Sequence, residues 1–227
     1  MSENLPVIAI LGGTGDLGTG LARCWGEAGF PVIIGSRTAE KADAAVASMH
    51  EILEGRGISE INLRSDENLR AAEAADIVAI TVPFSHQQST LKHVEPALKG
   101  KILIDATVPL IPPKVARVQL PEAGSAGQMA QDLLGEDVRV VSAFQNVAAH
   151  HLQKGTNAGC DVLVSGNNKE ARSQVIKLID ACGMRGFHAG SIANAAAAEA
   201  LTSILIFINK QYKCHAGISL TGLDPNP

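Results

Sequence analysis

The residues with the clearest chemical spacing lie near the start of the chain, at Gly12-Gly13-Thr14-Gly15-Asp16-Leu17-Gly18. Glycines at 13, 15 and 18 let a backbone turn sharply and come close to a pyrophosphate. An apolar run at 6–11 precedes the turn, and Leu17, Leu21 and Trp25 follow on one helical face, so the turn reads as strand, loop, helix. The amides of the first helical turn, with the helix dipole, then favour a bound anion. A second apolar run ends in Gly35-Ser36-Arg37-Thr38. A carboxylate at that position would accept hydrogen bonds from a ribose 2′-hydroxyl, but no acid appears before Glu40. Arg37 can instead make a bidentate contact to a 2′-phosphate, Ser36 can donate another hydrogen bond, and Lys41 lies one helical turn on. Hydrogen bonds to charged groups contribute roughly 1.5–3 kcal/mol each, so this set favours NADP(H) over NAD(H) by on the order of a hundredfold. A ligand-free glycine turn and a solvated Arg37 and Lys41 are the plainer readings of the same residues.

Further groups stand at the ends of later apolar runs. Thr81-Val82-Pro83-Phe84-Ser85-His86 and Ala106-Thr107-Val108-Pro109 fall where the carboxyl edge of a parallel sheet meets ligand. Pro83 stiffens the backbone there, and His86 is either a phosphate or nicotinamide contact or a surface residue. Asp105 ends a strand and reads as a loop hydrogen-bonding group rather than a catalytic carboxylate. His150 and His151 are adjacent, and neighbours on a helix point about a hundred degrees apart, so they do not read as a shared ligand pair. Cys24, Cys160, Cys182 and Cys214 form no Cys-x-x-Cys pair, and no His/Cys/Asp/Glu cluster has metal-ligand spacing, so no metal is expected.

The elements that must position these groups alternate. After the first βαβ unit, with its second helix expected over 39–53 and Thr38 as its N-cap, come a weak strand at 61–63, a helix at 68–75, a strand at 76–82 and a helix after Ser85. Strands are expected at 101–105, 139–144, 161–165 and 184–188, with helices at 128–134 and 169–181 between them. Residues 107–127, with Pro109, Pro112, Pro113 and Pro121, read as a long loop. Right-handed crossovers make this a Rossmann-type, doubly wound, mostly parallel α/β sheet. A C-terminal helical extension over 192–210 carries Leu201, Ile204, Leu205 and Ile208 on one stripe, which something must cover. The expected division is an NADP-binding domain at 1–190 and a C-terminal helix and tail at 191–227 that complete the substrate cleft and a homodimer interface.

Composition narrows the function classes. The chain has 227 residues, 46% of them hydrophobic, with one Trp, one Tyr and five Phe, which suits an Ala, Val, Ile and Leu core between helices and a parallel sheet. Net charge is −4 and no Lys/Arg run occurs, so neither nucleic acid nor a membrane surface is an expected partner. The chain shows no leader pattern, and its longest apolar stretches read as too short to span a bilayer. The expectation is a cytoplasmic enzyme acting on small molecules.

With these residues laid out, the chain resembles the coenzyme F420-dependent NADP oxidoreductase family, whose members move a hydride between NADPH and a deazaflavin. The turn at 11–18, Gly35-Ser36-Arg37-Thr38, Thr81-Val82-Pro83-Phe84-Ser85-His86 and Val141-Ser142-Ala143-Phe144-Gln145-Asn146 carry the resemblance, together with the segment from Ile208-Asn209-Lys210 through Gly217-Ile218 to Thr221-Gly222. It implies that Gly13, Thr14, Gly15, Asp16, Leu17 and Gly18 form the pyrophosphate loop, and that Ser36, Arg37 and Lys41 hold the 2′-phosphate. It also implies that Val82, Pro83, His86 and Ala143 lie on the nicotinamide side, and that the cleft beside the C-terminal helix receives coenzyme F420. The chain departs from the family at Asp16, where Asn is common, and in the turn at 144–151. An acid near phosphate is unfavourable unless its side chain turns away to cap the helix. Hydride passing directly between two stacked rings requires positioning rather than a proton donor, so no catalytic side chain is expected.

Three rival readings accompany this one. A short-chain dehydrogenase needs Tyr-x-x-x-Lys, and Tyr212 has Ala216 four residues on. An NADPH-dependent imine or carbonyl reductase of the 6-phosphogluconate-dehydrogenase-like group would share the cofactor half and a dimerising helix. A non-catalytic NADPH-binding sensor would need only the cofactor half.

Overall fold

The computed structural model describes residues 5–58, 61–155 and 159–223; the last four residues of the expected tail, 224–227, lie outside them. Eight strands form one sheet: β1 (Ile8–Leu11), β2 (Val32–Ser36), β3 (Leu63–Glu67), β4 (Ile77–Ile80), β5 (Ile102–Asp105), β6 (Arg139–Ser142), β7 (Asp161–Gly166) and β8 (Arg185–Gly190). Their order is β3-β2-β1-β4-β5-β6-β7-β8. Every pairing is parallel except β6 with β7, which is antiparallel. The Rossmann-type expectation holds, and the direction change at β7 accounts for "mostly" parallel.

The central strands read as unbroken apolar runs because both faces are covered. In β1, Ile8 and Ile10 enter one core with Leu21, Trp25, Met49, Leu53, Val175 and Leu178, from helices α1 (Asp16–Glu27), α2 (Ala39–Glu54) and α7 (Lys169–Ala181). Ala9 and Leu11 enter the other core with Ala71, Leu91, Val94, Ala130 and Ala195. That layer is α3 (Asn68–Ala74), α4 (Phe84–Val94), α5 (Ala126–Leu134) and α8 (Ala195–Tyr212). Trp25 ties α1 to α7 by donating its indole N–H to Leu178 O at 3.0 Å, and meets the Phe144 ring edge-on at 6.0 Å.

Several sequence expectations are corrected here. Thr38 is the N-cap of α2, but its side chain makes no capping hydrogen bond. A short helix, α6 (Ala149–Lys154), occupies a stretch left without an element; it packs on α1, where Gly20 leaves no space for a Cβ against Leu152. The stripe at Leu201, Ile204, Leu205 and Ile208 is covered only in part within the chain, with Leu201 and Ile208 half-buried. Ala195, Ala198, Glu199, Ser203 and Leu205 are buried, whereas Ile204 is 47% exposed. Small residues let α8 approach α5 closely, and Glu199 completes the contact by accepting hydrogen bonds from the Ala126 and Gly127 amides at 2.6 and 3.0 Å.

The stretch Ile192–Tyr212, 21 residues with a mean hydropathy of 1.5, is long and apolar enough by length and composition to cross a membrane, contrary to the sequence expectation. Its packing is that of a helix docked on this sheet, since the buried carboxylate of Glu199 clamps it to the start of α5.

That carboxylate gives stability a pH dependence. Burial pushes Glu199 up from 4.5 to about 8, against the two amide hydrogen bonds, and Asp105 adds repulsion. The folded chain therefore holds this proton more tightly than the unfolded chain. The contribution is fully present below about pH 4.5 and is lost as pH rises to about 8. Denaturant midpoints should fall across that window, and Glu199→Gln should flatten the fall; an unchanged slope in the variant would contradict the clamp.

Candidate functional site

In a doubly wound sheet ligands bind where the chain leaves neighbouring strands in opposite directions, here between β1 and β4. A cavity of about 300 Å³ opens there, over the carboxyl ends of β1, β2 and β4. The expected residues Thr14, Gly15, Ser36, Arg37, Lys41, Val82, Pro83 and His86 all line it. A larger hollow of about 520 Å³ beside Gln128, Arg139 and Asn168 has no glycine turn, so chemistry rather than size identifies the site.

The turn is closed by its own backbone. The Gly13 amide donates to Gly35 O at 3.0 Å and the Gly15 amide to Gly12 O at 3.3 Å. Gly12 has φ +68°, and a Cβ there would meet Val82 Cγ1 at 2.4 Å. Gly18 packs directly on the turn, since a Cβ on it would lie 2.6 Å from Gly13 Cα. Gly13 and Gly18 thus shape the loop without lining the cavity.

What the turn leaves open is a set of donors. Among the described residues, the amides of Thr14, Asp16, Leu17 and Gly18 have no acceptor in the chain. They stand at the positive end of α1, which fits a bound pyrophosphate. Asp16 is exposed and absent from the cavity wall, so its carboxylate turns to solvent. It does not cap the helix, however: Gly15 is the N-cap and no side-chain cap forms. Instead Gln153 of α6 donates to Asp16 O at 2.6 Å, pinning the first turn from outside.

The second charge site lies across the cavity. Ser36 is buried at the end of β2, while Arg37 and Lys41 are exposed and neither forms a salt bridge among the described residues. Two cations without a carboxylate partner on the wall of this cavity fit a 2′-phosphate.

Thr81, the first residue of the strand-end motif, also lines the cavity, as do Asn68, Ser89 and Thr90, which the motif reading missed. Asn68 accepts from the Gly12 amide at 3.3 Å, and the Thr81 hydroxyl lies 3.2 Å from Leu11 O, so both tie neighbouring elements to the glycine turn. The available signal was the Thr81 hydroxyl directly following the apolar strand β4; Asn68 follows β3, whose residues Arg64, Ser65, Asp66 and Glu67 are polar, and no apolar run marks it.

Ala143 is fully buried, donates its amide to Asp105 O at 3.1 Å, and stands outside the cavity wall. It belongs to a buried network behind the site. Asp105 accepts from the Thr107 amide and hydroxyl at 2.8 and 2.6 Å and from Gln87 at 2.5 Å, and Gln87 reaches Ala126 O at 2.9 Å. Burial pushes the Asp105 carboxyl up while these donors pull it back. It hydrogen-bonds the loop that follows β5, the contact the sequence suggested. His150 and His151 lie on α6 away from the cavity; His150 stacks on His215 at 4.1 Å, 16° from parallel. No metal-holding group of His, Cys, Asp or Glu occurs among the described residues.

The model of a family described as coenzyme F420-dependent NADP oxidoreductase matches residues 7–109. Over 223 residues, 96% of this chain and 99% of the relative, the chain is 42% identical to the F420-dependent NADP reductase of Methanocaldococcus jannaschii. It is 38% identical over 225 residues to that of Methanothermobacter marburgensis, covering 95% of this chain and 98% of the relative. A solved protein of Arthrobacter sp. FB24, provisionally assigned as an F420-dependent NADP reductase, is similar at a TM-score of 0.75 and 25% identity, covering 92% and 96% of the two chains. An imine reductase of Bacillus cereus shares the fold at a TM-score of 0.61 and 19% identity, covering 91% of this chain and 62% of that one. Likeness to the archaeal reductases from end to end, and not in the cofactor half alone, makes this chain a member of the F420-dependent NADP oxidoreductase family.

Proposed function

We propose that this chain transfers a hydride between NADP(H) and a deazaflavin, coenzyme F420. The observation that carries the cofactor half is one cavity bounded on one side by Thr14 and Gly15 of the turn that opens α1 and on the other by Arg37 and Lys41, which have no salt-bridge partner among the described residues. The archaeal relatives, matched over their full length, support the second substrate. In this reading Thr14, Asp16, Leu17 and Gly18 donate amides to the pyrophosphate, and Gly13 and Gly15 give the turn its shape. Ser36, Arg37 and Lys41 take the 2′-phosphate. Val82, Pro83 and His86 wall the cavity, and Ala143 supports the sheet edge from behind.

Bound NADPH supplies the hydride and the deazaflavin accepts it. The protein's own work is to orient the rings and exclude water, without a catalytic acid or base. Residues 1–190 form the cofactor domain in this reading, and 191–227 complete the deazaflavin cleft. Four free cysteines suit a reducing cytoplasm.

Mixing the protein with NADPH and oxidised deazaflavin, and following both absorbances, should show NADPH consumed one for one as the deazaflavin is reduced. Tight NADPH binding without turnover would overturn the reading in favour of an imine reductase or a sensor. In the same assay His86→Ala should lose less than about tenfold in kcat, since a true general acid or base contributes ~10²–10⁴-fold.

We also propose a homodimer through the face of α8 that the sheet leaves open, where Ile204 is 47% and Phe207 57% exposed. Sedimentation at micromolar concentration should give a dimer that Phe207→Glu dissociates. A wild-type monomer would refute it.

A further inference from the structure

Away from the cofactor cavity, a second cavity of about 330 Å³ opens between α1 and the end of α7. Cys24, Cys182, Arg23 and Glu27 line it. Cys24 is on the third turn of α1 and Cys182 immediately follows α7, so both thiols stand on the wall of this one cavity. Arg23, only 3% exposed, points Nη2 at Cys24 Sγ from 3.3 Å. It is held there by Leu152 O at 2.6 Å and Glu27 at 2.5 Å. Neither thiol has a part in the proposed hydride transfer.

From this arrangement we infer that Cys24 and Cys182 form a hydroperoxide-sensitive dithiol, with Cys24 the attacked sulfur and Cys182 the resolving one. The two thiols are unequal in the required sense. The neighbouring Cys182 thiol lowers the Cys24 pKa, and the Arg23 guanidinium 3.3 Å from its sulfur adds to that, while burial opposes it. The neighbouring Cys24 and burial raise Cys182. The other cysteines lack the arrangement. Burial and Asp161 raise Cys160, whose sulfur contacts Met184, and Cys214 is exposed with only Asn209 Oδ1 nearby.

The chemistry balances in two steps. The Cys24 thiolate attacks one oxygen of a hydroperoxide, the O–O bond breaks, and the departing alkoxide takes a proton to leave as alcohol or, from hydrogen peroxide, water. The Cys182 sulfur then attacks the Cys24 sulfenic sulfur, forming the S–S bond as water leaves with the Cys182 proton. Two thiols are oxidised and one hydroperoxide is reduced. Water occupies about 30 Å³ in the liquid, so the cavity has space for a peroxide, and the two thiols on its wall would close to a bond of about 2.05 Å. The resulting bridge would join α1, which opens with the glycine turn, to the end of α7.

The test treats the full chain carrying Cys214→Ser with hydrogen peroxide, followed by intact-mass and peptide analysis. The expected product is a chain lighter by two hydrogens, bridged between the Cys24 and Cys182 peptides and restored by dithiothreitol. In Cys182→Ser the expected product is a Cys24 sulfenic acid captured by dimedone, and in Cys24→Ser neither product forms. Persistence of all thiols, oxidation confined to Cys160, or equal oxidation of Cys182 in Cys24→Ser would overturn the inference. Circular dichroism on each serine variant separates loss of the fold from loss of the dithiol.

Discussion

The close approach of Gly18 to Gly13 is the constraint on which the cofactor site depends. Because no Cβ intervenes, α1 begins directly above the end of β1, and its first-turn amides project over the sheet edge without internal acceptors. A side chain at Gly18 would push helix and turn apart and move the positive end of the helix off the switch point, and one at Gly13 would meet Ile10 O at 2.7 Å and lift the turn off the sheet. The surrounding contacts hold that geometry from several directions. Asn68 and Thr81 tie the turn to α3 and β4, Gln153 fixes the first helical turn from α6, and Trp25 anchors the far end of α1 to α7.

A second, buried polar network keeps the opposite side of the sheet in place. Asp105 gathers Thr107 and Gln87, Gln87 reaches the start of α5, and Glu199 holds the same start from α8. The C-terminal helix is therefore fixed to the sheet by a carboxylate on two amides as well as by apolar packing. This places acidic groups deep behind the sheet edge and leaves the cations Arg37 and Lys41 at the open rim, a division suited to an anionic ligand.

Much of this was legible in the sequence because the strands are unbroken apolar runs and the glycine spacing is dictated by backbone geometry. Arg37 and Lys41 were readable because the absence of an acid after β2 is itself a chemical statement. What escaped was set by tertiary contact. On α8 the stripe at 201, 204, 205 and 208 is buried at Leu205 but not at Ile204, and the sequence did not mark Ala195, Ala198 and Glu199, which close approach to α5 buries. Helix α6 carries His-His and little apolar pattern, and it exists because Leu152 fits the space at Gly20. The antiparallel direction of β7 leaves no trace in periodicity. Asn68 could be read as the first residue of a helix, but its reach to the Gly12 amide depends on two segments meeting in space.

The central claim is that this cavity recognises a 2′-phosphorylated dinucleotide through Arg37, and it is tested most directly by titrating the wild type and Arg37→Glu with NADPH and NADH. The account predicts that the substitution weakens NADPH binding by on the order of a hundredfold while NADH affinity changes little. Equal losses for the two nucleotides would contradict it.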